Sequence, residues 1–116
     1  MKTTMFTFEM MAAISIMFPE GYTVNSRTFE PITAGYAVAV ADTQNSFGNA
    51  GMAKVAAYIS KHPEINAIGG WYNSENKQYY FDATIVVNDL QEAIRLGKAN
   101  KQIAIFDLNN MQEIRL

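Results

Sequence analysis

The sequence predicts an α+β fold, an antiparallel sheet carrying helices on one face, and three observations predict it. Residues 35–41 alternate Tyr36, Val38 and Val40 with Ala37, Ala39 and Ala41, the period of two that marks a strand. Apolar residues return at helical spacing around 52–59 and again around 90–97. Between these two stretches, strand-forming runs at 65–72 and 78–87 are joined by Asn73, Ser74, Glu75, Asn76 and Lys77, turn chemistry that makes the pair a hairpin.

Taken in chain order, Phe8, Met11, Ile14 and Phe18, broadened by Met10 and Met17, predict an N-terminal helix with Thr7 as its N-cap, stopped by Pro19 and Gly21. Residues 22–25 read as a short strand and 28–32 as an irregular arm, because Pro31 cannot donate to a ladder. The strand at 35–41 has one face of small side chains, against which something packs closely. A polar loop, 42–50, leads into the helix of Met52, Val55, Ala56 and Ile59, which ends before His62 and Pro63. After the hairpin, Asn88 with Gln91 resembles a capping box for a helix carrying Leu90, Ala93, Ile94 and Gly97, and Asn100 closes it in the left-handed conformation. Residues 102–108 form the next strand, Asn109 and Asn110 a turn, and 112–116 a short final strand. From 35 to 108 the order is therefore strand, helix, strand, strand, helix, strand. This βαββαβ run is the ferredoxin-like, split-βαβ arrangement, here with an N-terminal helix and arm added at 1–34.

Composition bounds the rest. A chain of 116 residues, 49% hydrophobic and 17% charged, is one domain with enough apolar surface to fold without disulfides or metal. A formal charge of −2 with scattered Lys and Arg offers no field for a phosphate backbone, so nucleic acid is disfavoured as a partner. The absence of cysteine removes thiolate nucleophiles and thiolate metal sites, and suits a reducing cytoplasm. The apolar opening carries Glu9 and no small-x-small cleavage site, so it reads as mature structure. It is also too short to span a bilayer.

The loop Thr43, Gln44, Asn45, Ser46 precedes a helix, where free N–H groups and the dipole favour an anion or a carbonyl-rich ligand, and Gly48 and Gly51 permit close approach. It lacks the Gly-Lys-Ser/Thr ending of a phosphate loop, and the plainer reading is a self-bonded turn capped by Asn49 or Ser46. In the hairpin, alternation sends Trp71 and Tyr72 to opposite faces, and likewise Tyr79 and Tyr80. Two of these rings are expected in the core; core packing and cross-strand pairing are the plainer reading of the set, a platform for a base or a partner's side chain the alternative, for which Trp71, Tyr80 and Asp82 are the candidate residues. Asp42, Asp82 and Asp107 lie at strand ends where pairing of two carboxylates would allow acid–base or metal chemistry; solvated strand ends are the plainer reading. His62, the single histidine, reads as a helix-end cation, and without a Ser/His or Cys/His set no hydrolase is indicated. No cofactor is implied.

Three strings in order, EPITAGYAVAVADTQNSFG, GGWYNSENKQYYFDAT and EAIRLGKANKQIAIFDLNNMQEI, resemble a family of small uncharacterised proteins of bacteriophages, prophages and conjugative elements of gut bacteria. The resemblance covers roughly residues 21–116 and leaves out the N-terminal helix. It brings no catalytic residue or ligand. It implies a mobile-element setting, in which a short protein without catalytic residues often acts on host machinery, for example by inhibiting a defence system. The expectation is thus a non-enzymatic, anti-CRISPR-like binder of a host protein in the bacterial cytoplasm. The alternatives are a nucleotide-sequestering module using the polar loop, an aspartate metalloenzyme, and a homodimer formed through sheet edges.

Overall fold

The computed structural model describes residues 2–116, with side chains from residue 5 onward. The chain is α+β. In order it forms α1 (Lys2–Met17), β1 (Gly21–Asn25), β2 (Tyr36–Ala39), β3 (Ser46–Phe47), α2 (Gly48–Lys61), β4 (Ala67–Asn73), β5 (Gln78–Val87), α3 (Leu90–Ala99), β6 (Ala104–Asp107) and β7 (Gln112–Arg115). The sheet is antiparallel and seven-stranded, in the order β1-β4-β5-β2-β6-β7, with β3 also on β5. The hairpin is present: β4 and β5 pair from Ala67 with Thr84 to Asn73 with Gln78.

Strand alternation assigns the two faces. Val24 pairs with Ile68, Ile68 with Ala83 and Val38 with Ile85, and these residues point to the same side. That side is the core. Under α1 and α2, Met11, Ile14, Met52, Val55, Ile65 and Phe81 join Val24, Ile68 and Ala83. A smaller cluster of Val38, Ala93 and Ile105 lies under α3. All three helices therefore cover one face, and the other is left to solvent and to loops.

Several local expectations are corrected. Thr7 is not an N-cap, because α1 already runs from Lys2. The helix is apolar on nearly all sides, so periodicity gave no sharp start; Met11 and Ile14 are buried, whereas Ile16 is 82% exposed. The cap of α3 is Asp89, whose side chain accepts from the Glu92 N–H, rather than Asn88. Asn100 keeps a φ of −92°, and the left-handed residue is Lys101 at 58°. Neither Asn49 nor Ser46 caps α2; its N-cap is Phe47, without a side-chain hydrogen bond.

The polar loop is built around the sheet. Between β2 and β3 the chain bulges away from β5 through a 3-10 turn, Ala41–Thr43. Val40 N–H still donates to Ala83 O, and the buried Thr43 Oγ1 accepts from Ala83 N–H at 3.0 Å, standing in for the missing carbonyl of the ladder. Ser46 Oγ donates to Thr43 O at 2.7 Å. Asn66 plays a similar part beyond the end of β4: its amide donates to Val86 O and accepts from Val86 N–H.

The arm after β1 turns back on itself. Asn25 Oδ1 accepts from the N–H groups of Arg27 and Thr28, and Pro31 bridges to Val24 on the outer edge of β1. Since β2 lies beyond β4 and β5, residues 32–35 must cross the sheet. Gly35, with φ 95°, makes that crossing tight: a Cβ there would stand 2.9 Å from the Val86 side chain. Val86 points away from the helices, so the crossing segment lies over the open face.

Candidate functional site on the open face of the sheet

The open face is what the helices leave uncovered, and alternation fixes its occupants. Trp71 of β4 pairs with Tyr80 of β5, and Tyr80 pairs with Phe47 of β3. The Trp71 and Tyr80 rings stack with centroids 4.8 Å apart and 14° between planes; Phe47 meets Tyr80 at 5.3 Å. Three strands thus carry one continuous aromatic row. It is not buried: Trp71 is 44% and Phe47 45% exposed.

One row further along the sheet, Asp82 stands opposite Gly69, and Gly69 opposite Thr23. Beyond them lie Ala37 and Ala39. A floor of glycine and alanine is low, while the flanks are tall: Trp71 at one end, Pro31 and Ile32 of the arm, Phe106 of β6, and Leu108 and Met111 of the turn between β6 and β7. The result is an open groove of about 820 Å3. The small-residue face of β2, expected to receive something packed closely on it, is the floor of this groove.

Asp82 is the charged group on that floor. Its backbone carbonyl accepts from Thr84 Oγ1, but its carboxylate has neither a hydrogen bond nor an ion pair among the described residues. Burial between the flanks disfavours the ionised form and raises its pKa from 3.8 to about 6. Glu20 and Glu113 also line the groove; Glu113 is ion-paired with Arg115 at 3.8 Å, so Asp82 and Glu20 give the trough its acidic character between apolar sides. Such a surface suits a ligand that is apolar and neutral or cationic, and repels phosphate.

The expected site residues separate into two groups. Trp71, Tyr80 and Asp82 come together on the open face. Thr43 and Ser46 do not join them; both are buried, with hydroxyls committed to Ala83 and Thr43 respectively. Gln44 and Asn45 are exposed, Asn45 at φ 64°, and neither lines the groove. Phe47 was missed because its two-residue strand hides inside a polar loop; its signal was a lone aromatic two positions after Asn45. Of the hairpin rings on the helix side, Tyr79 is half-buried and donates to Phe18 O, but Tyr72 is exposed, since it lies past the reach of the helices.

The aspartates do not pair. Asp107 faces the helix side, opposite Tyr36, and Asp82 the other. Hydrogen bonds from the side chain and backbone of Asn110, and from the backbone of Asn109, lower the Asp107 pKa and close the turn into β7. Asp42 accepts from the Tyr58 hydroxyl at 3.0 Å. His62 stacks on Tyr58 at 3.8 Å and contacts Glu64. Among the described residues no group of three or more His, Cys, Asp or Glu side chains is placed to hold a metal, and no helix is long and apolar enough to cross a membrane.

Fold and site together define an α+β domain with helices on one sheet face and an aromatic-edged acidic groove on the other. Compared with protein-family models, curated proteins and solved structures, the chain matches none.

Proposed function

We propose that this is a non-enzymatic accessory protein of a bacteriophage or mobile element that acts by binding a host protein through the open face of its sheet. The observation that carries this reading is the coexistence, on one surface, of an aromatic row, with Trp71 and Phe47 exposed and Tyr80 half-buried between them, and the unpaired Asp82 carboxylate. Exposed aromatics beside a shaped, apolar-sided hollow are what a protein interface centre is made of, and rings stacked in advance lose little entropy on binding. With a formal charge of −2 the chain is no mimic of DNA, so inhibition works by shape and local contact. The mobile-element context makes an anti-defence, anti-CRISPR-like role in the bacterial cytoplasm the best-supported form of this activity. We read residues 36–107 as a ferredoxin-like unit; the strand order β4-β5-β2-β6, with helix-linked strands held apart, supports that reading.

Tagged wild-type protein and a Trp71→Ala/Tyr80→Ala variant are to be compared in pull-downs from host lysate and in an assay of plasmid or phage restriction. The expected result is recovery of a defence component and relief of restriction by the wild type alone. Restriction unchanged by the wild type, or relieved equally by both proteins, overturns the proposal.

One observation favours nucleotide sequestration at the polar loop as a second reading: α2 begins without a side-chain cap, leaving the positive end of its dipole uncompensated. Against it, the Thr43 and Ser46 hydroxyls are already engaged. A nucleotide at 100 times its dissociation constant adds about 2.7 kcal/mol of stability, so a thermal-shift screen without any shift dismisses it.

A further inference from the structure

The electrostatics of the groove narrow what occupies it, an inference that rests on the open face being the docking surface. The titratable side chains lining it are Glu20 from the approach to β1, Asp82 from β5 and Glu113 from β7. Tyr22 gives only its backbone, its ring lying on the helix side against Tyr79, and Glu113 is held by Arg115 at 3.8 Å, so Asp82 and Glu20 are the acids without an ion pair among the described residues. The Asp82 carboxylate has no partner of its own: Gly69 opposite it and Ala39 beyond have nothing to donate from their side chains, and the nearby Thr84 hydroxyl is given to the Asp82 backbone carbonyl. Trp71 lies diagonally across from it on the next strand, at the roughly 7–8 Å spacing of such pairs, and Tyr80 is two residues away on the same face. An acid and an aromatic plane at this separation are the two halves of a site for a flat, delocalised cation.

We infer that the groove receives an arginine side chain carried by an apolar segment of the partner protein, its guanidinium paired with the Asp82 carboxylate and laid against the Trp71 ring. Arginine fits better than lysine because the guanidinium is planar, weakly hydrated, able to bond a carboxylate in bidentate fashion and able to stack on an indole. A protein segment fits better than a free small cation because the flanks at Pro31, Ile32, Phe106 and Met111 extend well past the acid and are apolar. Those flanks call for neighbouring aliphatic side chains. Burial has already raised the Asp82 pKa to about 6, so the acid is charged and able to pair at pH 8 and largely neutral at pH 5.

The chain has a single tryptophan, Trp71, so its fluorescence reports on the groove directly. The probes are the acetylated, amidated tripeptide leucyl-arginyl-leucine and its glutaminyl counterpart, titrated at low salt into wild type and Asp82→Asn at pH 8 and pH 5. The expected result is saturable binding of the arginine peptide to wild type at pH 8, weakened about tenfold by the glutaminyl replacement, by Asp82→Asn, or by the lower pH. Equal binding of the two peptides, or arginine-peptide binding indifferent to both Asp82→Asn and pH, overturns the arginine assignment while leaving the groove as a docking surface. Failure of either peptide to perturb Trp71 in folded wild-type protein overturns the arginine assignment; if the Trp71→Ala/Tyr80→Ala variant also relieves restriction like wild type, the docking surface falls with it.

Discussion

Trp71 and Tyr80 face each other across β4 and β5 with their rings 4.8 Å apart and 14° from parallel, on the side of the sheet that no helix covers. Directly paired positions bring side chains within contact distance, and two large rings there exclude water from each other even at the surface. The same register puts Asp82 one row inward on the same strand. A stacked pair thus shields one side of an acid that nothing else compensates.

The stacked pair has a measurable energy of its own. In urea unfolding, Trp71→Ala and Tyr80→Ala are each expected to destabilise the domain by about 1 kcal/mol, and the double variant to show a coupling of about 0.5–1.5 kcal/mol. Strict additivity would mean that the two rings do not support each other.

Asp82 gives stability an unusual pH dependence. Its folded pKa, about 6, is above the unfolded value near 3.8, so between these pH values the folded state holds more of the proton than the unfolded chain. Stability therefore falls as pH rises through this window, opposite to an ion-paired carboxylate, and levels off above pH 6 at a loss on the order of 2 kcal/mol once partial exposure is allowed for. Asp82→Asn should remove this component. The difference between wild type and variant, measured by urea unfolding from pH 4 to pH 7, isolates it from the other carboxylates; a difference that does not change with pH would show that Asp82 titrates normally.

Thr43 closes the ladder where the polar loop bulges out. Thr43→Val keeps the shape but leaves the buried Ala83 N–H without an acceptor, a loss of about 1–3 kcal/mol, whereas Thr43→Ser keeps the hydroxyl and most of the stability. Comparable midpoints for the two variants in chemical denaturation would count against the bond. Faster hydrogen exchange at Ala83 in Thr43→Val would locate the effect.

Gly51 is held by contact rather than by its dihedral angles. A Cβ at Gly51 would come within 2.4 Å of the Ser46 carbonyl carbon, backbone that cannot step aside as a flexible side chain does. Alanine normally gains up to about 1 kcal/mol over glycine inside a helix, yet here overpacking of about 1–3 kcal/mol outweighs the gain. A raised melting temperature for Gly51→Ala would show that the loop and α2 yield easily.

The elements legible in the sequence were those whose pattern is local. The alternation of Tyr36, Val38 and Val40 marked β2, the stripe Met52, Val55, Ala56 marked α2, and the polar run Asn73 to Lys77 marked the hairpin, because a strand's period and a helix's period are written in consecutive residues. That Trp71 and Tyr72, and likewise Tyr79 and Tyr80, leave by opposite faces followed from the same rule. Caps were less legible: Asp89 and Asn88 are adjacent and chemically similar, and only the geometry of the chain entering α3 separates them. The short strand at Phe47 escaped notice because two residues carry no period.

The groove itself is a tertiary object. Its floor takes Gly69 from one strand, Asp82 from the next and Ala37 and Ala39 from a third, and its rim takes Pro31 and Ile32 from an arm that crosses the sheet. By itself, the sequence determined an α+β chain with aromatics and an acid at alternating positions. The pairing of distant strands decided that Trp71, Tyr80 and Asp82 share a surface, that Thr43 and Ser46 are withdrawn from it, and that Asp107 is turned away. The physical reason is register: a shift of one residue in any of these pairings sends every side chain of the strand to the other face.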